Sequence, residues 1–146
     1  ANWANPINFP IIRYADVLLM YAEAVWRAHE VPSPEALEYV NQVRRRGFGV
    51  DIKTPNEAVD LKMMDGDKFA EALLAERSFE LCFEGQRWYD LVRFGNLEEG
   101  VKKLAKYSSV ATSQAQNFQP KHVIFPIPQD VIDASNGKIE QNPLWK

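Results

Sequence analysis

Apolar positions recur at helical spacing through most of this chain. Tyr14, Val17, Leu18, Tyr21, Ala22 and Val25 fall at i, i+3, i+4, i+7, i+8 and i+11, which predicts a helix from Arg13 to His29 with that stripe facing a core. Arg13 with Asp16, and Glu23 with Arg27, are spaced to pair along it. After a short break, Ser33-Pro34-Glu35 supplies a cap, a proline at the first helical position and an acid in the first turn. The second helix then runs to Arg45 or Arg46 and turns Ala36, Leu37, Val40 and Val43 inward. Arg44-Arg45-Arg46 reads as a solvated cluster compensating the negative helix end, and Gly47 closes it. The pair predicts an antiparallel helical hairpin.

Gly47 to Gly66 reads as a loop, with Asp67 as the cap of a third, long helix. The stretch Glu76 to Gly95 breaks the amphipathic pattern. Phe79, Leu81, Phe83, Trp88, Leu91 and Phe94 point around the whole axis, as in a buried helix. The same stretch carries Arg77, Glu80, Glu84, Arg87, Asp90 and Arg93 at spacings of three and four. Charges on a buried helix must be paired, because desolvating a lone ion costs several kcal/mol. An internal acid–base ladder follows, with Arg87 bridging Glu84 and Asp90, and with a break at Gly85. Beyond it, Asn96 starts a short helix to Lys106, and Tyr107 to Gln119 reads as a surface loop. His122 to Ile127 reads as extended and edge-like, with Pro126 and Pro128 barring it from a sheet interior. Gln129 to Ala134 forms a helical turn ended by Ser135-Asn136-Gly137.

Three motifs in order carry a resemblance. Glu76-Arg77-x-x-Glu80-Leu81-x-Phe83-Glu84-Gly85-x-Arg87-Trp88-Tyr89-Asp90-Leu91-x-Arg93 resembles the C-terminal signature of the SusD/RagB family of outer-membrane nutrient-binding lipoproteins. Ile11-Ile12-Arg13-Tyr14-Ala15-Asp16-Val17-Leu18-Leu19-Met20-Tyr21-Ala22-Glu23-Ala24 is similar to the helix entering that region. Phe125-Pro126-Ile127-Pro128-Gln129 and Gln141-Asn142-Pro143 resemble its closing segment, although Leu144-Trp145 stands where the family has a glycine and an aromatic residue.

The resemblance implies an all-α fold of tetratricopeptide-like hairpins with irregular loops and an extended C-terminal segment. It implies that residues 1–146 form a single C-terminal helical domain, a fragment of a longer protein. That protein would capture glycans or peptides at the bacterial surface and pass them to a SusC-like, TonB-dependent transporter. The chain opens Ala1-Asn2-Trp3 with no basic, apolar leader and no acylated cysteine, so the export signal and lipid anchor are expected upstream. A free-standing helical-hairpin scaffold for a peptide or protein partner is the alternative.

Composition narrows the chemistry. Hydrophobic residues make up 46% of the 146, enough for a sizeable core, and a net charge of −3 argues against nucleic-acid binding. The single cysteine, Cys82, sits between Leu81 and Phe83 and reads as an inert buried thiol. His29 and His122 have no metal-ligand spacing, and no nucleophile motif or phosphate loop is present. Glu80 and Glu84, with Asp90, have the look of paired hydrolase carboxylates, but Arg77 and Arg87 are spaced to neutralise them. No enzyme, cofactor or metal is expected. A sugar platform needs an exposed ring on a rigid element with polar groups in reach. Trp26 and Trp88 are expected inward, which leaves Trp3 and Trp145 as weak ligand-binding candidates.

Overall fold

The computed structural model describes residues 10–146, the side chains of Ser109 and Ala111 excepted, so the candidate Trp3 lies outside the described residues. Among them the secondary structure is helical, with no strand. The chain groups into two compact units, one up to Asp90 and one of Leu91–Lys146.

In the first unit, α1 (Tyr14–His29) and α2 (Pro34–Gly47) form the antiparallel hairpin and α3 (Gly66–Glu80) packs on both. The start of α2 follows its signal: Ser33 Oγ accepts from Ala36 N at 3.0 Å with Pro34 at the first position. Asp65, not Asp67, caps α3, accepting from Lys68 N at 2.9 Å. The close approach behind this start explains Gly66. A Cβ there would sit 1.9 Å from the Glu30 carbonyl oxygen, at the left-handed residue that ends α1. The core of the unit is Leu19, Ala22, Ala36, Val40, Phe69 and Leu73, each fully buried.

The buried face of α1 is rotated from the expected stripe. Leu18 and Ala22 are buried, but so are Asp16, Leu19 and Glu23, whereas Tyr14, Val17 and Tyr21 face outward. Two acids accompany the apolar residues inward because each meets an arginine. Arg77 Nη1 donates to Asp16 Oδ1, and Arg27 Nε donates to Glu23 Oε1. A pattern that treats acids as outward-facing therefore selects the wrong face.

The long third helix is two helices. The chain leaves α3 at Glu80, turns through Phe83 (φ 65°) and Gly85 (φ 79°), and restarts as α4 (Arg87–Arg93). The break expected at Gly85 is thus a full helix–turn–helix, and left-handed geometry at Phe83 adds to it. It places Cys82 in the exposed turn, correcting the expectation of a buried thiol.

In the second unit α5 (Leu97–Ala105) packs against α6 (Ser109–Gln116). Gly100 lets α5 close onto Leu91, whose Cδ1 would lie 2.7 Å from an added Cβ. The segment expected as a surface loop from Tyr107 holds α6, whose serines, alanines and glutamines form no contrasting stripe to announce it. His122 opens no extended segment, because Pro120–Val123 is a 3-10 turn, and the backbone extends from Ile124. Then α7 (Gln129–Ala134) ends at Ser135, followed by positive φ at Asn136 and Gly137. Pro143–Trp145 is a final 3-10 turn.

Candidate functional site

The chemistry of the first unit lies in arginines that cross between helices. Arg13, just before α1, reaches the α3–α4 turn. Its Nη1 donates to Glu80 Oε1 at 2.7 Å, its Nη2 to Glu84 Oε1 at 2.8 Å and to the Glu80 carbonyl at 2.8 Å, and its Nε to both Glu84 oxygens. One guanidinium thereby fastens the end of α3 and the turn after it to the start of α1, with the fork geometry suited to carboxylates. Its pKa is raised, first by hydrogen bonding to Glu84 and then to Glu80. Arg46 of α2 donates to the other Glu80 oxygen.

Arg77 is the buried counterpart. Only 3% of its side chain is exposed; Nη1 lies 2.9 Å from Asp16 Oδ1 and Nε 3.0 Å from Asp90 Oδ2, the latter a charge contact without hydrogen-bond alignment. Asp16 and Asp90 are themselves buried. Arg77 thus ties α1, α3 and α4 at one point. Arg87 donates from Nη1 to the Leu74 carbonyl at 3.0 Å, and burial is the first cause lowering its pKa. Arg93 is exposed on α4 and its ring neighbour is Phe94, 5.7 Å away.

The expected internal ladder is therefore a set of bridges between elements. Glu80 and Glu84 turn to Arg13 and Arg46 instead of along their own segment, because the break after Glu80 ends the helical register that would align them with Arg87. Arg13 likewise bypasses Asp16, which belongs to Arg77.

Sequence reasoning missed the arginine triplet. Of the expected solvated cluster only Arg46 is exposed, at 57%, while Arg44 and Arg45 are drawn inward. Arg45 is 1% exposed and grips the 48–65 loop: Nε donates to Asp60 Oδ1 at 2.7 Å and Nη1 to the Ile52 carbonyl at 3.0 Å, while Glu38 takes Nη1 and Nη2 at 2.9 and 3.0 Å. Arg44 donates to Glu76 Oε2 at 2.6 Å and to the Val59 carbonyl at 3.0 Å. Burial raises the Glu76 carboxyl even so, with Arg44 opposing the shift. The Arg45 bond holds Asp60 below the usual carboxylate range. Asn41 completes the clamp by exchanging two amide hydrogen bonds with the Leu61 backbone, at 2.8 and 3.0 Å. The available signal was Asp60 in the following loop, an acid close in sequence that Arg45 takes as its partner.

The concave surfaces are open clefts. One of about 490 Å³ is lined by Arg44, Arg46, Phe48, Glu76, Phe79 and Glu80. Another of about 650 Å³ joins Trp26, Arg27, Glu30, Asp65 and Asp67, and there the Arg27 guanidinium stands 5.1 Å from the Trp26 ring centre. Trp26 and Trp88 are half-buried, neither sealed in the core.

In the second unit Trp145 is also half-buried and its ring is engaged. Nε1 donates to the Ile124 carbonyl at 3.0 Å, Lys121 Nζ lies 4.6 Å from the ring centre, and His122 is 5.5 Å away. Beside it the Gln141 amide receives Ile127 N at 2.8 Å and donates to Ile127 O at 2.9 Å, and Asn142 Nδ2 donates to Phe125 O at 2.7 Å. The two closing motifs are physically one device: side-chain amides of Gln141 and Asn142 pair with the Phe125–Ile127 backbone, which the prolines keep from pairing with a strand. No group of three or more metal-ligating side chains exists among the described residues, and no described helix is long and apolar enough to cross a membrane.

The α1–α2 hairpin with α3 packed on it belongs to a helical fold that recurs in solved proteins of the SusD type. The SusD family model matches residues 1–145, and the chain belongs to that family. It is 38% identical to SusD-like protein P25 of Formosa agariphila over 92% of this chain and 24% of that relative. SusD-like protein P38 of the same organism is 42% identical over 59% of this chain and 17% of its own length. The crystal structure of a SusD homologue from Bacteroides thetaiotaomicron superposes with a TM-score of 0.78 at 39% identity, covering 90% of this chain and 26% of that one. A SusD superfamily protein from Parabacteroides distasonis gives 0.68 at 25% identity, covering 94% and 27%. The chain thus spans about a quarter of the length of P25 and of these two solved chains.

Proposed function

We propose that residues 1–146 act as the C-terminal helical domain of a surface nutrient-binding protein that captures glycans or oligosaccharides. It hands them to a SusC-like, TonB-dependent transporter in the outer membrane, and a lipid anchor upstream holds it at the cell surface. The observation that carries the reading is membership of the SusD family along residues 1–145.

The charged groups support binding over bond cleavage. A hydrolase needs a carboxylic acid and a carboxylate with separated roles. Glu80 and Glu84 instead share the Arg13 guanidinium, and Arg46 takes the remaining Glu80 oxygen. In this reading Arg77, Glu80, Glu84, Arg87, Asp90 and Arg93 belong to the scaffold. Trp145, engaged by Lys121 and the Ile124 carbonyl, anchors its own segment, so the ligand is met mainly by residues outside this chain.

Affinity purification of the tagged full-length protein from outer membranes tests the partnership. Recovery of a TonB-dependent transporter in stoichiometric amount is expected. Recovery of the protein alone, from membranes that contain the transporter, contradicts the reading.

A further inference from the structure

His122 is half-buried where the two closing 3-10 turns, Pro120–Val123 and Pro143–Trp145, meet. Its ring lies 5.9 Å from Phe118 and 5.5 Å from Trp145, centre to centre. Its Nδ1 accepts a hydrogen bond from the Gln119 backbone N at 3.0 Å. That bond secures the residue preceding the turn, and it fixes the proton of the neutral imidazole on Nε2. An imidazolium carries a proton on both nitrogens and accepts nothing. Protonation of His122 therefore sets an Nδ1 proton against the Gln119 N–H and removes the bond.

The neighbouring charges act in the same direction. On the same turn, Lys121 holds its ammonium 4.6 Å from the Trp145 ring centre, so the indole already has its cation. The turn packed against it, Pro143–Trp145, carries no acid to pair with an imidazolium. The residue that follows, Lys146, is a second cation, and it holds Glu140.

We propose that His122 is a proton-operated latch of the closing segment. Neutral, it keeps the Pro120–Val123 turn against Trp145; protonated, it releases the turn from the indole. The amide bonds from Gln141 and Asn142 to the Ile127 and Phe125 backbone involve neither ring, so the segment loosens at its His122–Trp145 end and stays tied beyond it. The inference is independent of the nutrient and of the transporter.

Amide hydrogen exchange of the full-length protein, corrected for the intrinsic effect of pH, tests it. The two conditions are about pH 8 and about pH 5, on either side of the ordinary histidine value of about 6.5. Protection of the amides between Gln119 and Ile124 is expected to fall about tenfold at the lower pH, with that around Leu19 unchanged. His122→Asn keeps a side-chain acceptor that takes up no proton, and its protection is expected to be the same at both pH values. Equal wild-type protection at both pH values overturns the proposal, as does an equal fall in His122→Asn. The wild-type protein gives a second reading that needs no stable variant. Its His122 ring resonance and the loss of amide protection are expected to share one midpoint, and separate midpoints also overturn the latch.

Discussion

Replacing Arg77 by Met keeps most of the side-chain stem and removes only the guanidinium. The group lost is 3% exposed and lies 2.9 Å from Asp16 and 3.0 Å from Asp90, on two different helices. An exposed ion pair contributes at most about 1 kcal/mol. Removing one partner of a buried pair costs about 3–5 kcal/mol, chiefly because the remaining charge stays buried. Two carboxylates lose this cation at once, so the upper half of that range is expected. For a chain of this size each kcal/mol moves Tm by about 2–4 °C, which predicts a fall of roughly 10 °C or more. Urea titration followed by circular dichroism measures the free energy from midpoint and slope. Asp16→Asn added to the same variant is expected to restore part of the loss by removing one of the two charges. A loss below about 1 kcal/mol, the range of a solvated pair, refutes the buried-bridge account.

Gly66→Ala drives a methyl into the Glu30 carbonyl and is expected to cost about 1–3 kcal/mol, read as a lower urea midpoint. Asp60→Asn is expected to flatten the acid limb of the stability curve. Arg45 depresses the folded pKa of Asp60, so its contribution is present above the unfolded value of about 3.9 and is lost as pH falls through the lower folded value. An unchanged slope below about pH 5 contradicts the Arg45 clamp. Gln141→Ala removes two hydrogen bonds from Ile127 and is expected to cost about 1–2 kcal/mol, with faster amide exchange at Ile127 and little change at Leu19.

The helical class and the hairpin were legible in the sequence, and the reasons are specific. Ser33-Pro34-Glu35 acts through local backbone chemistry, which no distant contact overrides, and α2 begins at Pro34 with the expected four residues buried. The end of α7 at Ser135-Asn136-Gly137 was readable for the same reason. What failed depended on partners far along the chain. Asp16 faces inward because Arg77 lies 61 residues away, and no periodicity carries that information. The charged residues of the Glu76–Gly95 stretch could be listed, but their pairing to Arg13 and Arg46 depends on where the chain turns after Glu80. Arg45 is buried by a loop that its own hydrogen bonds organise. The α6 helix escaped because Ser, Ala and Gln give no contrast between faces.

Incubation of the full-length protein with a panel of polysaccharides and oligosaccharides, followed by calorimetry and chromatography of the recovered sugar, tests the proposed function most directly. The account predicts saturable binding to at least one glycan, recovered at its original length, with affinity unchanged by Trp145→Ala and by Glu84→Gln. Shortened products whose formation stops in Glu84→Gln at unchanged Tm, or binding abolished by Trp145→Ala, would contradict it.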